Sequence, residues 1–526
     1  MKARKCLILF FCLCLAATML FVDRVGIQPA RAQFGTTITV TTTRDPDNSN
    51  STTCATPPCT LRRAIVQARL LPEASRPVLI NFNIPTSDVG YDSSLQIWKF
   101  NDFKVATIDA HTIFRAISGG SITIDGTTQP GGRTNGPKLI LTGPGDGSNE
   151  AFNLSGSSAN AIRGLAFQNW HDSITVTSTN SVIENNWFGL NDTGTLPYWR
   201  DVNDHSQGSG ANGVVLYSGA SNNLIRYNTF LGLNGTAATI RDNFNTFSDN
   251  KVGTTAAGTT PGKTTDPGLL CTQWDWYGGS GIRIDGDDHT INNNFFTGIR
   301  LDLSGTAVQP EAIYIGETCD RVKIWYNTIG EDSAGKDQGV CGRGINVFNS
   351  KALDIKGNIL ADTYNSAIFL NGSLYGNNKI SQNIIRKSTP WIWQSGAPKG
   401  DDAILRFTGL PDSLEFFNPA KITSINGKLV TGTSGTGSPC PGCTIELFLD
   451  DTDGINEALQ YLGRVVADSN GNWSFTLANK LTPSQGLRTS STTNAPNVIP
   501  GFSANTTVGL SEFYYSGKQF LPFIKR

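Results

Sequence analysis

Histidine is scarce in this chain, with four residues in 526. His171-Asp172, His111 with Asp109, and His205 with Asp201 and Asp204 are isolated pairs that read as polar turn residues rather than parts of a triad. No Gly-x-Ser-x-Gly elbow and no His-Glu-x-x-His helix occurs, which removes two common hydrolase signatures. Charge is also sparse, at 16%. Without the five basic residues and one acid of residues 1–32, the chain keeps 37 basic and 42 acidic residues, a net of −5. A nucleic-acid protein should show a basic footprint, and this composition excludes one. It also gives no steering toward anionic membranes. After residue 22 no apolar run is long enough to span a bilayer.

The N-terminus differs in kind. Lys2, Arg4 and Lys5 precede an apolar stretch over residues 6–22, and Ala30-Arg31-Ala32 stands before Gln33. This is the layout of a secretory signal peptide cut between Ala32 and Gln33, with an uncleaved anchor as the alternative. It implies a secreted or cell-surface protein with no membrane span in the mature chain. Seven cysteines follow residue 32, and an exported chain can oxidise them. Cys54–Cys59 and Cys440–Cys443 can pair locally. Cys319 and Cys341 lie one repeat apart and can stack across neighbouring coils, leaving Cys271 over. Cys440-Pro-Gly-Cys443 runs straight into a β pattern, so it reads as structural rather than redox-active. With no His nearby it lacks zinc ligands too.

What the chain has in abundance is Asn, Gly, Ser and Thr around a 38% apolar content, enough to fill a core. One hexad recurs eight times: an aliphatic residue or Phe, two variable residues, usually Asn, one variable residue, then an aliphatic residue or Phe. The copies begin at Ile162, Ile183, Ile225, Phe247, Ile291, Ile324, Ile355 and Ile380. Seven carry Asn at the fourth position: Asn186, Asn228, Asn250, Asn294, Asn327, Asn358 and Asn383. A repeat every 20–50 residues signals a stacked solenoid. The alternating aliphatics point inward, and the Asn falls at a bend. Stacking predicts a structural Asn column in which each side chain bonds the next. Spacings of 42 and 44 residues, double the basic coil, suggest a degenerate coil inside each. About a dozen coils at ~4.8 Å each predict a rod of roughly 55–60 Å.

Residues 60–70 are expected to be helical, with Thr60 as N-cap and Leu61, Ala64, Ile65 and Ala68 as the apolar face. Cys59-Thr-Leu-Arg-Arg-Ala-Ile65 resembles the CSLREA element, which precedes right-handed parallel β-helices in secreted bacterial proteins. Ser121-Ile-Thr-Ile-Asp-Gly-Thr-Thr-Gln-Pro-Gly-Gly132 extends that resemblance. Arg63 stands where the element has Glu, which removes the returning carboxylate of a capping box. Further on, Cys440-Pro-Gly-Cys443-Thr-Ile-Glu-Leu-Phe448, Leu462-Gly463, Asp468-Ser-Asn-Gly-Asn-Trp-Ser-Phe475 and Ser511-Glu-Phe513 resemble a bacterial Ig-like module.

Candidate chemistry is thin. Asp285, Asp287 and Asp288, with Arg321 and Lys323 about one and a half coils later, resemble the paired acids and Arg-x-Lys of polygalacturonases. That family's Asn-Thr-Asp and Gly-His-Gly motifs are missing, and a solvated turn after the strand is the favoured reading of the acids. Asp450, Asp451, Asp453, Asn456 and Glu457 offer oxygens to Ca²⁺, or form a plain acidic hairpin; no other cofactor is implied. Trp274, Trp276 and Tyr277, with Tyr198-Trp199 and Trp391-Ile-Trp393, stand in loops where rings can stack on sugars or cover the solenoid.

The resulting expectation is all-β. A signal peptide covers 1–32, a cap 33–104, a right-handed parallel β-helix 105–415, an Ig-like β-sandwich 421–516 and a tail 517–526. The expected function is non-catalytic binding or structure outside the cell, with a polysaccharide or surface protein as partner. A polysaccharide lyase or glycoside hydrolase is the alternative.

Overall fold

The computed structural model describes residues 34–515 apart from 47–52, 56, 104–112, 145–148, 157, 199–211, 260–280, 300–310, 337–338, 364–365, 372–376, 388–402, 408–418, 435–439, 454, 497–506, 509 and 512. Each hexad makes two strands and the bend between them. Val182–Glu184 is followed by Asn185 and Asn186, and Trp187–Phe188 then sets off along a new sheet. A third strand, such as Asp172–Val176, completes the coil. Stacking gives a first sheet of eleven strands, a second of eleven and a third of nine. The first sheet runs from Thr36–Val40 to Lys379–Ser381 with every neighbouring pair parallel. The chain is therefore a three-sheet parallel β-helix. Its first two rungs, Thr36–Val40 and Val78–Phe82, lie within residues 33–104.

Register explains the core. Ile162, Ile183, Ile225, Phe247, Ile291, Ile324, Ile355 and Ile380 form one inward column across successive rungs, and all are buried. Phe167, Phe188 and Phe230 form another, with stacked rings 5.0 and 4.7 Å apart. Aromatic stacking adds to simple burial here.

The doubled spacings conceal no extra coil. Ile183 pairs directly with Ile225, and Phe247 with Ile291. The surplus residues instead lie between a second-sheet strand and the next third-sheet strand, after Trp187–Phe188 and after Lys251–Val252. Lengthening a corner loop costs little closure entropy and leaves pairing untouched. Eleven rungs therefore make a stack of about 48 Å, shorter than the spacing arithmetic suggests.

Both ends are covered. The helix Leu61–Leu70 starts at Thr60, whose Oγ1 accepts from Arg63 N at 3.2 Å. Leu61, Ala64, Ile65 and Ala68 join the solenoid core. At the other end lie two three-stranded sheets. Lys421–Asn426, Leu429–Thr433 and Asn472–Thr476 pair antiparallel; so do Thr444–Asp451, Gln460–Val466 and Gln485–Thr492. Ile422, Val430 and Trp473 of one sheet meet Ile445, Leu447 and Leu487 of the other in a second core. The opposite face of the second of these sheets is not free. Phe448, with Ala458 and Leu510, packs into the solenoid core. Glu446 Oε2 accepts from Gln382 N at 2.8 Å, and Glu457 Oε1 accepts from Lys387 N. In earlier coils the equivalent N–H groups, those of Gly357 and Asp362, bond carbonyls of the next rung. Carboxylates thus replace a missing rung and close an edge that would otherwise invite pairing.

Cys54–Cys59 and Cys440–Cys443 are disulfides. Cys319–Cys341 is not one: Cys319 is a free, buried thiol, and Cys341 is oxidised with another partner. Cys319 follows the strand Glu311–Ile315, whereas Cys341 precedes Arg343–Phe348 on the next rung. Since Glu311 pairs with Arg343 and Ile315 with Val347, a strand length of roughly 15 Å separates the two. The signal segment, Ala32/Gln33, Cys271 and the tail lie outside the described residues.

Candidate functional site

The Asn column is continuous. Asn186 Nδ2 donates to Asn228 Oδ1 at 3.1 Å, and the relay runs through Asn250, Asn294, Asn327 and Asn358 to Asn383 at 2.9–3.1 Å. Each Oδ1 also accepts a backbone N–H of the preceding rung, and each Nδ2 donates to a carbonyl, as Asn294 does to Phe247 O at 2.9 Å. All seven are buried. A second ladder runs before the first-sheet strands. Ser181 N bonds Asn223 Oδ1, Asn223 N bonds Asn245 Oδ1, and Asn245 N bonds His289 Nδ1. His289 is fully buried, and burial pushes its pKa down to about 4.

The acidic candidates divide. Arg321 Nη2 reaches Asp287 Oδ2 at 2.9 Å and Asp288 Oδ2 at 2.8 Å, while its Nε meets Asp288 Oδ1 at 2.8 Å. The Arg321 hydrogen bonds hold the Asp288 carboxyl below the usual carboxylate range. Asp285 turns to Arg283 at 3.0 Å, and Lys323 lies over the Trp325 ring at 5.3 Å. A cleaving pair needs one carboxyl that keeps its proton, and the Arg321 guanidinium clamped onto Asp288 favours the charged form of that carboxyl. In the C-terminal module Asp450, Asp451 and Glu457 bring one oxygen each within 4.8 Å of one another. Asp450 is already paired with buried Arg488, which a Ca²⁺ ion would have to displace.

The bend between the first two sheets offers more. The residue before the fourth position of each hexad is left-handed: Gly164, Asn185, Tyr227, Asp249, Asn293, Tyr326, Gly357 and Gln382, with φ between 55° and 71°. Gly and Asn suit that conformation, and a bulky residue there is an outlier. Tyr227 and Tyr326 nevertheless occupy it, with 51% and 53% of their surface exposed. Such strain is commonly kept for a use.

Tyr227 borders an open groove of about 860 Å³ on the solenoid wall. Its floor is Asn185, Tyr227 and Asp249 on the bend, with Trp187, Thr229 and Lys251 in register beside them on the second sheet. Arg133 and Lys138 form the far wall. Arg133 lies over the Trp187 ring at 4.7 Å. Gly136 and Gly194 allow close packing there, because a Cβ on either would come within 2.4 Å of the same ring. Lys251 Nζ donates to Ala256 O at 3.0 Å and Lys138 Nζ to Gln129 O at 2.6 Å. Burial lowers the Lys251 and Arg133 pKa values.

A second polar cluster sits on the outward side of the third sheet. Glu311 Oε1 accepts from Asn346 Nδ2 at 2.6 Å and lies 3.8 Å from Arg343 Nη1. Burial raises the Glu311 pKa. Arg343 stacks on Phe369 at 3.7 Å, and Arg283 on Tyr314 at 4.8 Å.

Of the aromatics expected in loops, Trp274, Trp276, Tyr277, Trp199, Trp391 and Trp393 lie outside the described residues, whereas Tyr198 is half-buried and donates its N–H to Gly189 O at 2.7 Å. The groove residues were not singled out. Their signal was a ring in the hexad position just before Asn, a column otherwise filled by Gly, Asn, Asp and Gln.

No protein-family model matches the chain, and no curated protein matches it. Among solved structures it is similar to ORF18 of Geobacillus virus E2, with a TM-score of 0.31 and 11% identity over 77% of this chain and 67% of that one. DFA-IIIase from Arthrobacter chlorophenolicus A6 scores 0.30 at 11% identity, over 63% and 77%. Tailspike protein 2 from Escherichia coli O157:H7 bacteriophage CAB120 scores 0.21 at 10% identity, over 84% and 62%. Likeness at this level carries over neither ligand nor activity.

Proposed function

We propose that this chain is an exported, non-catalytic glycan-binding protein, with the Trp187–Tyr227 groove as its binding surface. The observation that carries the reading is Tyr227: a half-exposed ring held at a strained bend over a groove with cations and amides at its rim. Sugars present apolar faces to aromatic rings and hydroxyls to amides and charges. Export rests on the signal-like residues 1–32 and agrees with the disulfides Cys54–Cys59 and Cys440–Cys443. Panels of pectins, alginates and neutral glycans, assayed for retention and for cleavage by the full chain, test it. Retention without cleavage, weakened in Tyr227→Asn, is the expected result. Asn keeps the left-handed bend and removes only the ring. Cleavage abolished by Asp288→Asn overturns the reading.

One observation favours a second reading, a polysaccharide-cleaving enzyme. Glu311 is a buried carboxyl with a raised pKa beside Arg343, as a general acid would be. Cleavage that survives Asp288→Asn but is lost in Glu311→Gln would establish it.

A further inference from the structure

We propose that the ligand of this face is a linear, acidic polysaccharide lying parallel to the solenoid axis and spanning both Tyr227 and Tyr326. The inference rests on the glycan-binding reading and extends it beyond the groove.

Asn185, Tyr227, Asp249, Asn293 and Tyr326 hold the same place in five successive rungs and share the left-handed conformation that turns each side chain outward. They form a straight strip. Tyr227 and Tyr326 are three rungs apart, about 14 Å at ~4.8 Å per rung. Between them stand a carboxylate and an amide, short side chains that accept or donate hydrogen bonds. A compact ligand confined to the groove meets only the first ring, because Tyr326 is outside its lining. A linear polymer meets a polar group at each rung and a ring at each end. The Tyr326 ring packs over Gly357, where a Cβ would come within 2.6 Å of it, and only the second case uses the face that stays exposed. The bend itself is made as well by Asn185 and Asn293.

Charge narrows the class. Arg133, Lys138 and Lys251 border the groove, and exposed Lys323 stands on the Tyr326 rung. Glu184, Asp249 and Asp354 are acids along the same strip, and Glu184 is paired with Arg163 and Arg226. The Lys138 and Lys251 ammonium groups bond to carbonyls of Gln129 and Ala256, which position them without neutralising them. A strip with cations at both ends suits a polymer bearing carboxylates along its length. Screening by salt keeps this contribution modest, so charge selects the ligand class while ring contacts set the length.

The test uses the full chain and two ladders running from trimer to octamer: oligogalacturonates and neutral cello-oligosaccharides. Titration calorimetry should give acidic chains tighter binding than neutral ones, with affinity still rising past the trimer. Tyr326→Asn should weaken the acidic octamer about fivefold and leave the trimer unchanged, whereas Tyr227→Asn should weaken both. Equal affinities for trimer and octamer, an octamer indifferent to Tyr326→Asn, or neutral chains binding as tightly would each overturn the proposal. If neither ladder nor any glycan of the retention panel binds, the failure lies with the glycan-binding reading itself.

Discussion

Arg62 of the N-terminal helix donates from Nε to Asp45 Oδ1 at 2.8 Å, and both side chains are only 2% exposed. The guanidinium also lies 5.4 Å from the centre of the Phe114 ring. This pair ties the capping helix to the first rungs of the solenoid. Removing one partner of a buried pair strands the other charge in a low dielectric, at about 3–5 kcal/mol. Asp45→Asn should lower the urea midpoint accordingly. Arg62→Met with Asp45→Leu should cost much less, because neither charge is then left alone.

Asn294 sits mid-column, where its Oδ1 takes both Asn250 N and Asn250 Nδ2. Asn294→Ala leaves both donors without their acceptor and Phe247 O without its Asn294 donor. A loss of about 2–4 kcal/mol is expected, read as a shift in denaturation midpoint. Glycan retention by the folded variant should be unchanged, since the column faces inward.

His289 makes stability depend on acid. Its folded pKa is depressed to about 4 from 6.5. Above pH 6.5 the group is neutral in both states and contributes nothing. As pH falls from 6.5 to 4, the unfolded chain takes up a proton that the folded chain refuses, so stability declines, by about 3 kcal/mol in all. His289→Asn supplies an acceptor for Asn245 N without a titrating ring. A midpoint-against-pH series should lose this slope in the variant.

Glu457 works in the opposite sense at the other end. Burial first, then Asp453, Asp450 and Asp451, raise its pKa from 4.5 to about 7. Arg488 and the backbone N–H of Lys387 also face this pocket. The folded state holds a proton that the unfolded state has lost between these values. The stabilisation is complete below pH 4.5 and disappears as pH rises through 7. Glu457→Gln keeps an acceptor for Lys387 N and stays neutral. At pH 8 its midpoint should exceed that of the parent by the equivalent of about 2–3 kcal/mol, and at pH 4 the two should coincide.

Much of the fold is legible in single hexads. Ile183 and Phe188 announce inward columns, and Asn186 announces a buried relay, because stacking identical coils forces identical positions together. Thr60 announces the helix start. The second ladder was harder to read, since Asn223, Asn245 and His289 lie outside the hexad and differ in type. Tyr227 and Tyr326 were visible as letters but not as outliers, since the cost of a ring before Asn emerges only when the bend is known to be left-handed.

What the sequence by itself determined is the repeating unit: which residues turn inward, where each coil bends, and which polar side chain must be satisfied at the bend. Those are local consequences of strand alternation and of burying an amide. The tertiary structure decided how long insertions are absorbed, which cysteines meet, and that one face of the C-terminal sheets packs onto the last coils of the solenoid. It also placed Trp187, Tyr227 and Lys251 side by side. Each of these depends on which rung lands on which, and that register is set by the summed packing of the stack.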